Sequence, residues 1–507
     1  MKNFLVFLLL VFVVFGSNAQ NFNRPVPTGL LPYEFQSYAT GIDFYTCINM
    51  NNIGPVNLGT ALEYKRGVIL DPDGYIVWFQ DINPSNVNAI SGFGYNPDNQ
   101  VFQMVVAYSG QNKWYYLLDQ GLNIVDSIQP INGAGPDSHD FLITSSGNRF
   151  VTTYRNETMD LSAFTIDGQQ GDANTNVLCN GYQEFDSNNN LIAEWNSCDH
   201  IHPSEFYGHN YNVNNFDYFH INSVDEDDDG HILISARHTS TIVKVDRNTG
   251  DVIWRLGGLN SDFTFVNDLE NGISSQHDAR SLGNGIISIH DNGNGHSPAR
   301  SRGVIYQLDT VNWTATVLED VNPAVNYYGQ AMGSHRTIND FHVVNYGANY
   351  RPEPNIGIFD SNNDLIAEYY FTDSAVTYRA LPFNLDFSFP QPSITCIDSM
   401  GVLYLHAPDG HPSYEWSTGE TSQDIIAIPG ETYQVYVPYG IGKIASYPFM
   451  PDANCANTIS IDELEKPVKT LLKTVDLLGR EIDLYTSGQV IIHIYSDGTI
   501  QRVVHLE

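Results

Sequence analysis

From about residue 40 to about residue 385 the chain repeats one local pattern. A short alternating strand meets a turn of Asp, Asn and Gly, and a second alternating strand follows. GVILDPDGYIVWF (67–79), HDFLITSSGNRFVTTYR (139–155), HINSVDEDDDGHILISAR (220–237) and HDARSLGNGIISIHDNG (277–293) are instances. TIVKVDRNTGDVIWRLGG (241–258) adds a further hairpin, turned at Asn248-Thr249-Gly250. Alternation gives each strand two faces of different character, and turns of this composition reverse the chain within a few residues. Two linked hairpins make a four-stranded antiparallel unit, and such units at regular spacing build a propeller. The spacing is 57 residues from His220 to His277 and 58 from His277 to His335. From His139 to His220 it is 81, because residues 156–215 carry an insertion rich in Asn, Tyr and His. About 345 residues at this period fit six blades, so an all-β chain built on a six-bladed β-propeller is expected, with a large β-sandwich as the alternative.

At 507 residues the chain exceeds what one small core organises, so more than one domain is expected. Gly, Asn, Asp, Tyr and Phe are plentiful while Ala-, Leu- and Lys-rich stretches are scarce, the usage of strands and tight turns. Lys and Arg number 23 against 58 Asp and Glu, a net charge of −35. So acidic a surface repels nucleic acid and anionic lipid, and both are excluded as partners. It also repels a small anionic substrate, so any anion site must concentrate basic groups locally.

The two ends differ from the repeat. Lys2, the apolar run Phe4 to Phe15 and the small-residue stretch Ser17-Asn18-Ala19 read as a signal peptide over residues 1–19, removed before Gln20. No later segment approaches the length of a membrane helix, so an exported, soluble mature chain without a membrane span is expected. The repeat region is assigned to residues 20–390. Beyond Pro390, residues 391–456 contain Tyr414-Glu415-Trp416-Ser417-Thr418-Gly419-Glu420-Thr421 and TYQVYV (432–437), which resemble small immunoglobulin-like modules of bacterial surface proteins. Residues 457–507 end in KTVDLLGREIDLY and VIIHIYSDGTIQRVVHLE. Through DLLGR and IYSDGT this short β tail resembles the sorting tails read by the type IX secretion machinery, which implies a secreted or cell-surface protein. A final edge hairpin of the preceding module is the plainer alternative. Of five cysteines, Cys179–Cys198 and Cys396–Cys455 are the expected disulfides by proximity, Cys47 is left over, and none has metal-ligand spacing.

Three hairpins open with a histidine in the same place. His139 lies eight residues before Gly147, His277 eight before Gly285 and His220 ten before Gly230. If the first strand of each blade is innermost, the three converge at one mouth of the central channel. A hairpin turned at Asp227–Gly230 sets His220 opposite Arg237, and alternation places Asn222 on the face of His220. Arg237 is then the anion clamp, its planar fork matching a tetrahedral oxyanion. A hairpin centred on Gly283-Asn284 sets His290 beside His277, and His335, one blade on, extends the site. Asp140 and Asp278 follow their histidines directly and are expected on the opposite face, bracing the backbone. DEDDDG (225–230) imitates a calcium loop, but Ala236 stands where the last acidic ligand belongs, so an acidic turn is expected. His200, His202 and His209 have irregular spacing and read as a solvated loop. TGDVIW resembles quinoprotein repeats but occurs once in full. Neither a metal nor a cofactor is expected.

HDFLITSSGN, HINSVDEDDDGHILISAR, TGDVIWRLGG, QHDARSLGNGIISIHDNG and YRA (378–380) together resemble the arylsulfotransferase family over most of residues 40–385. The resemblance implies a six-bladed propeller that moves a sulfuryl group from an aryl sulfate to a phenol without a nucleotide sulfate donor. It implies that His277 is the nucleophile that becomes sulfated. It further implies that His139, His220, Asn222 and Arg237 bind the sulfuryl oxygens and manage the phenol proton. His290 departs from the family, where an aromatic residue commonly precedes Asp-Asn-Gly. Neutral imidazole attacks sulfur without a separate base, and a covalent intermediate divides the transfer into two displacements. Hydrolysis of aryl sulfates at the same site and a non-catalytic cell-surface binding propeller are the competing readings.

Overall fold

The computed structural model describes residues 22–52, 65–81, 87–109, 112–208, 211–321, 327–349, 353–371, 375–456, 471–476, 480, 490–495 and 500–504. The signal peptide, His209 and much of the expected sorting tail lie outside the described residues. The described chain is all-β apart from two single turns of helix, Ser197–His200 and Pro203–Glu205.

Each hairpin expected from the sequence is present, and the strands assemble into many small antiparallel sheets. One sheet runs Val87–Asn96, Val101–Tyr108, Lys113–Leu118, Ile124–Ile128. The next runs Gly135–Ile143, Arg149–Met159, Thr175–Phe185, Leu191–Asn196. A third runs Ile221–Glu226, Ile232–Ala236, Thr241–Val245, Val252–Gly257. A fourth runs His277–Gly283, Ile286–Asp291, Arg302–Asp309, Thr314–Val321, with Thr264–Val266 added in parallel. A fifth runs Ser334–Ile338, Phe341–Asn345, Ile356–Asp360, Leu365–Phe371, and Tyr33–Ser37 extends its outer edge.

The closing sheet is composite. Ala380–Phe383 lies beside Tyr45–Asn52, which pairs with Lys65–Leu70 and so with Ile76–Gln80. The first strands of successive sheets touch one another, and Ala380–Phe383 touches both Ser334–Ile338 and Val87–Asn96. Ala375–Val376 pairs with Tyr45–Asn52 as well, so two strands from the end of the unit and three from its start complete the circuit.

Apolar side chains pack between neighbouring sheets. Val105, Tyr115 and Ile128 meet Phe141, Val151 and Phe185, and Leu233, Ile242 and Leu256 meet Ala279, Ile289 and Val304. Ile232–Ala236 and Thr241–Val245 are buried at every position, because a sheet stacked on both faces has no wet side. Each such aliphatic side chain contributes about 1.5–3 kcal/mol. The acidic turn is not wholly solvated either. Asp227 is buried, with Lys244 at 2.5 Å and Ser281 at 2.6 Å.

The extra length between His139 and His220 enters the 11-residue strands Arg149–Met159 and Thr175–Phe185 and the segment 197–219. The Cys179–Cys198 disulfide ties that segment down, and Phe206, Phe216, Tyr218 and Phe219 are buried in it. His200 stacks on Trp195, and His202 packs at a tilt against Phe164. Cys396–Cys455 is the second disulfide, and Cys47 is a buried free thiol.

Beyond residue 390, Thr395–Ser399, Val402–His406 and Asp424–Ala427 form a three-stranded sheet over a small core that includes Leu405, Trp416 and Val435. Gly442–Ala445, Val435–Tyr439 and Glu415–Trp416 instead continue the closing sheet, with Gly442 opposite Gln80 and Ile444 opposite Trp78. The boundary at 390 is thus crossed by a backbone ladder that covers the edge of Ile76–Gln80. Leu471–Asp476, Val490–Tyr495 and Ile500–Val504 make a last three-stranded antiparallel sheet. DLLGR and IYSDGT lie partly outside the described residues.

Candidate active site

Breaks in the ladder place the histidines. His139 falls within a register shift between Pro136 and Phe141. His220 precedes Ile221–Glu226 in the left-handed region, at φ 56°. His277 begins its strand, and the register shifts between it and Arg280, with Asp278 at φ 55°. Such backbone costs about 1–3 kcal/mol and persists only where its surroundings enforce it. Arg237 N–H donates to His220 O at 3.0 Å, so the two stand opposite each other as expected. They do so because a bulge at Asn222 offsets the register set by the turn, so simple alternation does not govern Asn222. His277 is directly opposite His290.

These irregularities bring the rings together. The His139 and His220 centroids are 4.7 Å apart, and those of His220 and His238 are 4.4 Å apart. The Tyr378 ring lies 6.0 Å from that of His139 and 6.5 Å from that of His277, and its buried hydroxyl has no hydrogen-bond partner among the described residues. Arg237 Nη2 donates to Gln330 O at 2.9 Å, its Nε is buried without a partner, and no carboxylate pairs with it among the described residues. Burial pulls its pKa down, a sign that an anion there would be welcome. Asn222 Nδ2 donates to Gln276 O at 2.8 Å, next to His277, while its Oδ1 is buried and unpartnered.

Hydrogen bonds fix the state of each imidazole. Asn292 Nδ2 donates to Gly329 O at 2.7 Å and Met332 O at 2.9 Å, which turns its Oδ1 toward His277 Nδ1 at 2.6 Å. Met332 N–H donates to His277 Nε2 at 3.2 Å. The proton is therefore on Nδ1 and the lone pair on Nε2. Burial, then Arg237, hold the His277 pKa well below its ordinary value, so the ring is neutral. His139 Nδ1 meets Asp137 Oδ1 and His220 Nδ1 meets Asp217 Oδ2, each at 2.5 Å. Burial lowers the His139 pKa, but Asp137 outweighs it and the net direction is up. His238 Nδ1 donates to Asp217 O, and burial with His220 nearby lowers its pKa.

Behind the histidines lies a layer of buried ions. Asp278 accepts from Arg336 Nε and Nη2, both at 2.8 Å, and from Arg280 Nε at 3.0 Å. Asp140 accepts from Arg280 Nη2 at 2.8 Å, from the Val224 amide at 2.9 Å and from Arg379 Nη1. Arg379 Nη2 donates to Asn222 O at 2.6 Å. The two aspartates thus brace more than backbone: they anchor arginines that hold the bulges in place. A cavity of about 350 Å³ adjoins this layer, lined by Asp140, Arg280, Arg336, Arg379, Ser288 and His335; the three strand-opening histidines do not line it.

His290 is opposite His277, but neither it nor His335 shares a hydrogen bond with the clustered histidines among the described residues. His290 is buried with both ring nitrogens unpartnered, and burial lowers its pKa to about 4. Its ring packs where a side chain at Gly333 would collide with it. His335 is engaged by Ser288 Oγ and His342 Nδ1, each at 3.1 Å. Sequence reasoning missed Asp137, Asp217, His238, Asn292 and Tyr378. Asp137 shares a strand with His139 two residues away, a spacing that signals a common face. Asp217, His220 and His238 bring ligand atoms close enough to hold a metal ion.

The sequence model of the arylsulfotransferase (ASST) family matches residues 123–372, the stretch that holds His139, His220, Arg237 and His277, and supports an aryl sulfotransferase activity. No curated protein matches the chain. Among solved structures, a protein of unknown function from Bacteroides caccae is 10% identical, with a TM-score of 0.38, over 68% of this chain and 100% of that one. A putative 6-phosphogluconolactonase from Bacteroides fragilis is 12% identical, with a TM-score of 0.35, over 77% and 96%. A catalytically inactive virginiamycin B lyase from Staphylococcus aureus, with quinupristin, is 11% identical, with a TM-score of 0.31, over 73% and 97%. Likenesses this distant carry no argument about the chain.

Proposed function

We propose that the protein transfers a sulfuryl group from an aryl sulfate to a phenol through a sulfated His277, in a six-bladed propeller whose last blade is closed by Ala380–Phe383. The observation that carries this reading is the neutral His277, its lone pair on Nε2, near Arg237, with which no carboxylate pairs among the described residues. In the first step Nε2 forms a bond to sulfur as the sulfur–oxygen bond to the aryl group breaks, and the phenolate takes a proton from a neighbouring histidine. In the second, an acceptor phenol gives its proton back to that histidine and attacks sulfur, and the nitrogen–sulfur bond breaks. Charge gathers on the sulfuryl oxygens, where Arg237 and the Asn222 amide are placed to donate. The same reading takes residues 391–456 as an immunoglobulin-like module, residues 1–19 as a signal peptide and residues 457–507 as a type IX sorting tail on a secreted or surface protein.

The experiment is turnover of 4-nitrophenyl sulfate with and without a phenol acceptor, together with peptide mass spectrometry after brief incubation with donor alone. Phenol-dependent release and a sulfuryl mass on the peptide containing His277 are expected, and His277→Asn should lose both. Phenol-independent release would instead make the protein an aryl sulfate hydrolase. Silence toward every donor would leave a binding protein, and label on another residue would overturn the assignment of His277.

A further inference from the structure

The three strand-opening histidines differ in what meets their Nδ1. A carboxylate meets two of them, Asp137 at His139 and Asp217 at His220, whereas an amide oxygen, that of Asn292, meets His277. We propose that Asp137 and Asn292 are positioning residues that set opposite tasks for two imidazoles: Asp137 makes His139 the acid that protonates the departing phenolate, and Asn292 makes His277 the nucleophile. The inference rests on the sulfuryl-transfer reading and names which of its histidines moves the proton.

The physical basis is the charge each partner favours. A carboxylate on Nδ1 stabilises the imidazolium, and a neutral amide oxygen does not. His139 faces Asp137 on its own strand, Asp217 and His220 before the next sheet, and Lys113 on the preceding sheet. The two carboxylates outweigh Lys113 and burial, so His139 holds a second proton more readily than an ordinary imidazole. His277 faces Arg237, His220 and His290, all of which oppose a further positive charge. The one carboxylate next to it in sequence, Asp278, is gripped by Arg280 and Arg336. Asn292 cannot rotate to present its NH₂, because Gly329 O and Met332 O hold that group. Among the described residues no protein group occupies His139 Nε2, which is left to carry the proton to a ligand.

The step balances. The Met332 amide, which donates to His277 Nε2 at 3.2 Å, gives way as Nε2 gives its lone pair to sulfur; the aryl sulfur–oxygen bond breaks, and its electron pair stays on the phenolic oxygen. The Nε2 proton of His139 then moves to that oxygen, leaving a neutral ring ready to take the acceptor's proton. The Nδ1 proton of His277 stays shared with Asn292 throughout.

The test compares donors whose phenols differ in acidity. With Asp137→Asn, phenyl sulfate should slow by about a hundredfold and 4-nitrophenyl sulfate by less than about threefold, because nitrophenolate departs without a proton. Asp137→Glu should restore much of the phenyl sulfate rate. With Asn292→Asp, the acid limb of kcat/KM should move up by about one pH unit or more, with the rate recovered at high pH. Equal losses on both donors, or an acid limb that stays in place, would overturn the inference. If wild-type protein leaves both donors untouched, the transferase reading itself has failed. Ring ¹⁵N NMR then judges the partner assignment alone. His277 protonated only at Nδ1 in wild type and at both nitrogens in Asn292→Asp supports it, and the same state in both overturns it.

Discussion

At the scale of single residues, the site separates groups that hold charge from groups that react. Arg237 donates to a peptide carbonyl, and no carboxylate pairs with it among the described residues, so its fork is available to an anion. Replacing it by lysine keeps the charge and loses the planar donors. Arg237→Lys should lower kcat by about a hundredfold at unchanged melting temperature, which steady-state kinetics and calorimetry would check. His290 gives a second prediction. Its imidazole is buried, neutral and unpartnered, at a pKa of about 4. The unfolded chain binds a proton there from about pH 6.5 downward while the folded protein resists until about pH 4, so stability falls as pH falls through that window. His290→Leu should raise the unfolding free energy by about 1 kcal/mol near neutral pH and flatten the acid loss, as urea melts at several pH values would show. The opposition of His277 and His290 expected from the sequence is reached through two register shifts, between Ser281 and Gly283 and between His277 and Arg280, and not through the turn alone. The partner of each Nδ1 was not legible. Asn292 stands just past the end of the neighbouring strand, and Asp217 comes from irregular chain ahead of a residue with positive φ.

At the scale of elements, turn chemistry announced the hairpins, and what it left open was how far each strand runs and what lies at its edge. Arg149–Met159 and Thr175–Phe185 extend well past their turn because the segment 197–219 folds back on them and buries four aromatic rings. Nothing local in the sequence distinguishes that from a solvated insertion. The disulfide is the fastening: Cys179 is on the long strand and Cys198, 19 residues on, opens the returning segment. Cys198→Ser should lower unfolding stability by about 3 kcal/mol, read as a lower urea midpoint. The extension of the closing sheet by Gly442–Ala445 was likewise invisible, since edge pairing depends on which strand the assembled sheet leaves bare. Simple alternation does not govern Asn222, where a bulge offsets the register.

At the scale of the whole molecule, net charge and local charge oppose each other. A chain of net charge −35 repels an aryl sulfate at a distance, while on the proposed reading Arg237 attracts it at contact. Salt screens the first interaction far more than the second. Raising the salt from about 10 mM to about 200 mM should therefore increase kcat/KM for 4-nitrophenyl sulfate by about threefold, acting through the rate of encounter. A fall in kcat/KM over that range would mean that the local field dominates the approach as well.

The composite closing sheet sets a clock on this chemistry. All three strand-opening histidines, and Arg237 with them, precede residue 280 in the order of synthesis. Tyr378, whose ring lies near those of His139 and His277, and Arg379, which ties Asn222 to Asp140, arrive about a hundred residues later, on the stretch that runs into Ala380–Phe383. Until that strand finds Tyr45–Asn52, the cluster lacks that ring and its bulges lack an anchor. A nascent chain therefore carries these imidazoles unassembled, and the cluster is complete only when Ala380–Phe383 has met Tyr45–Asn52.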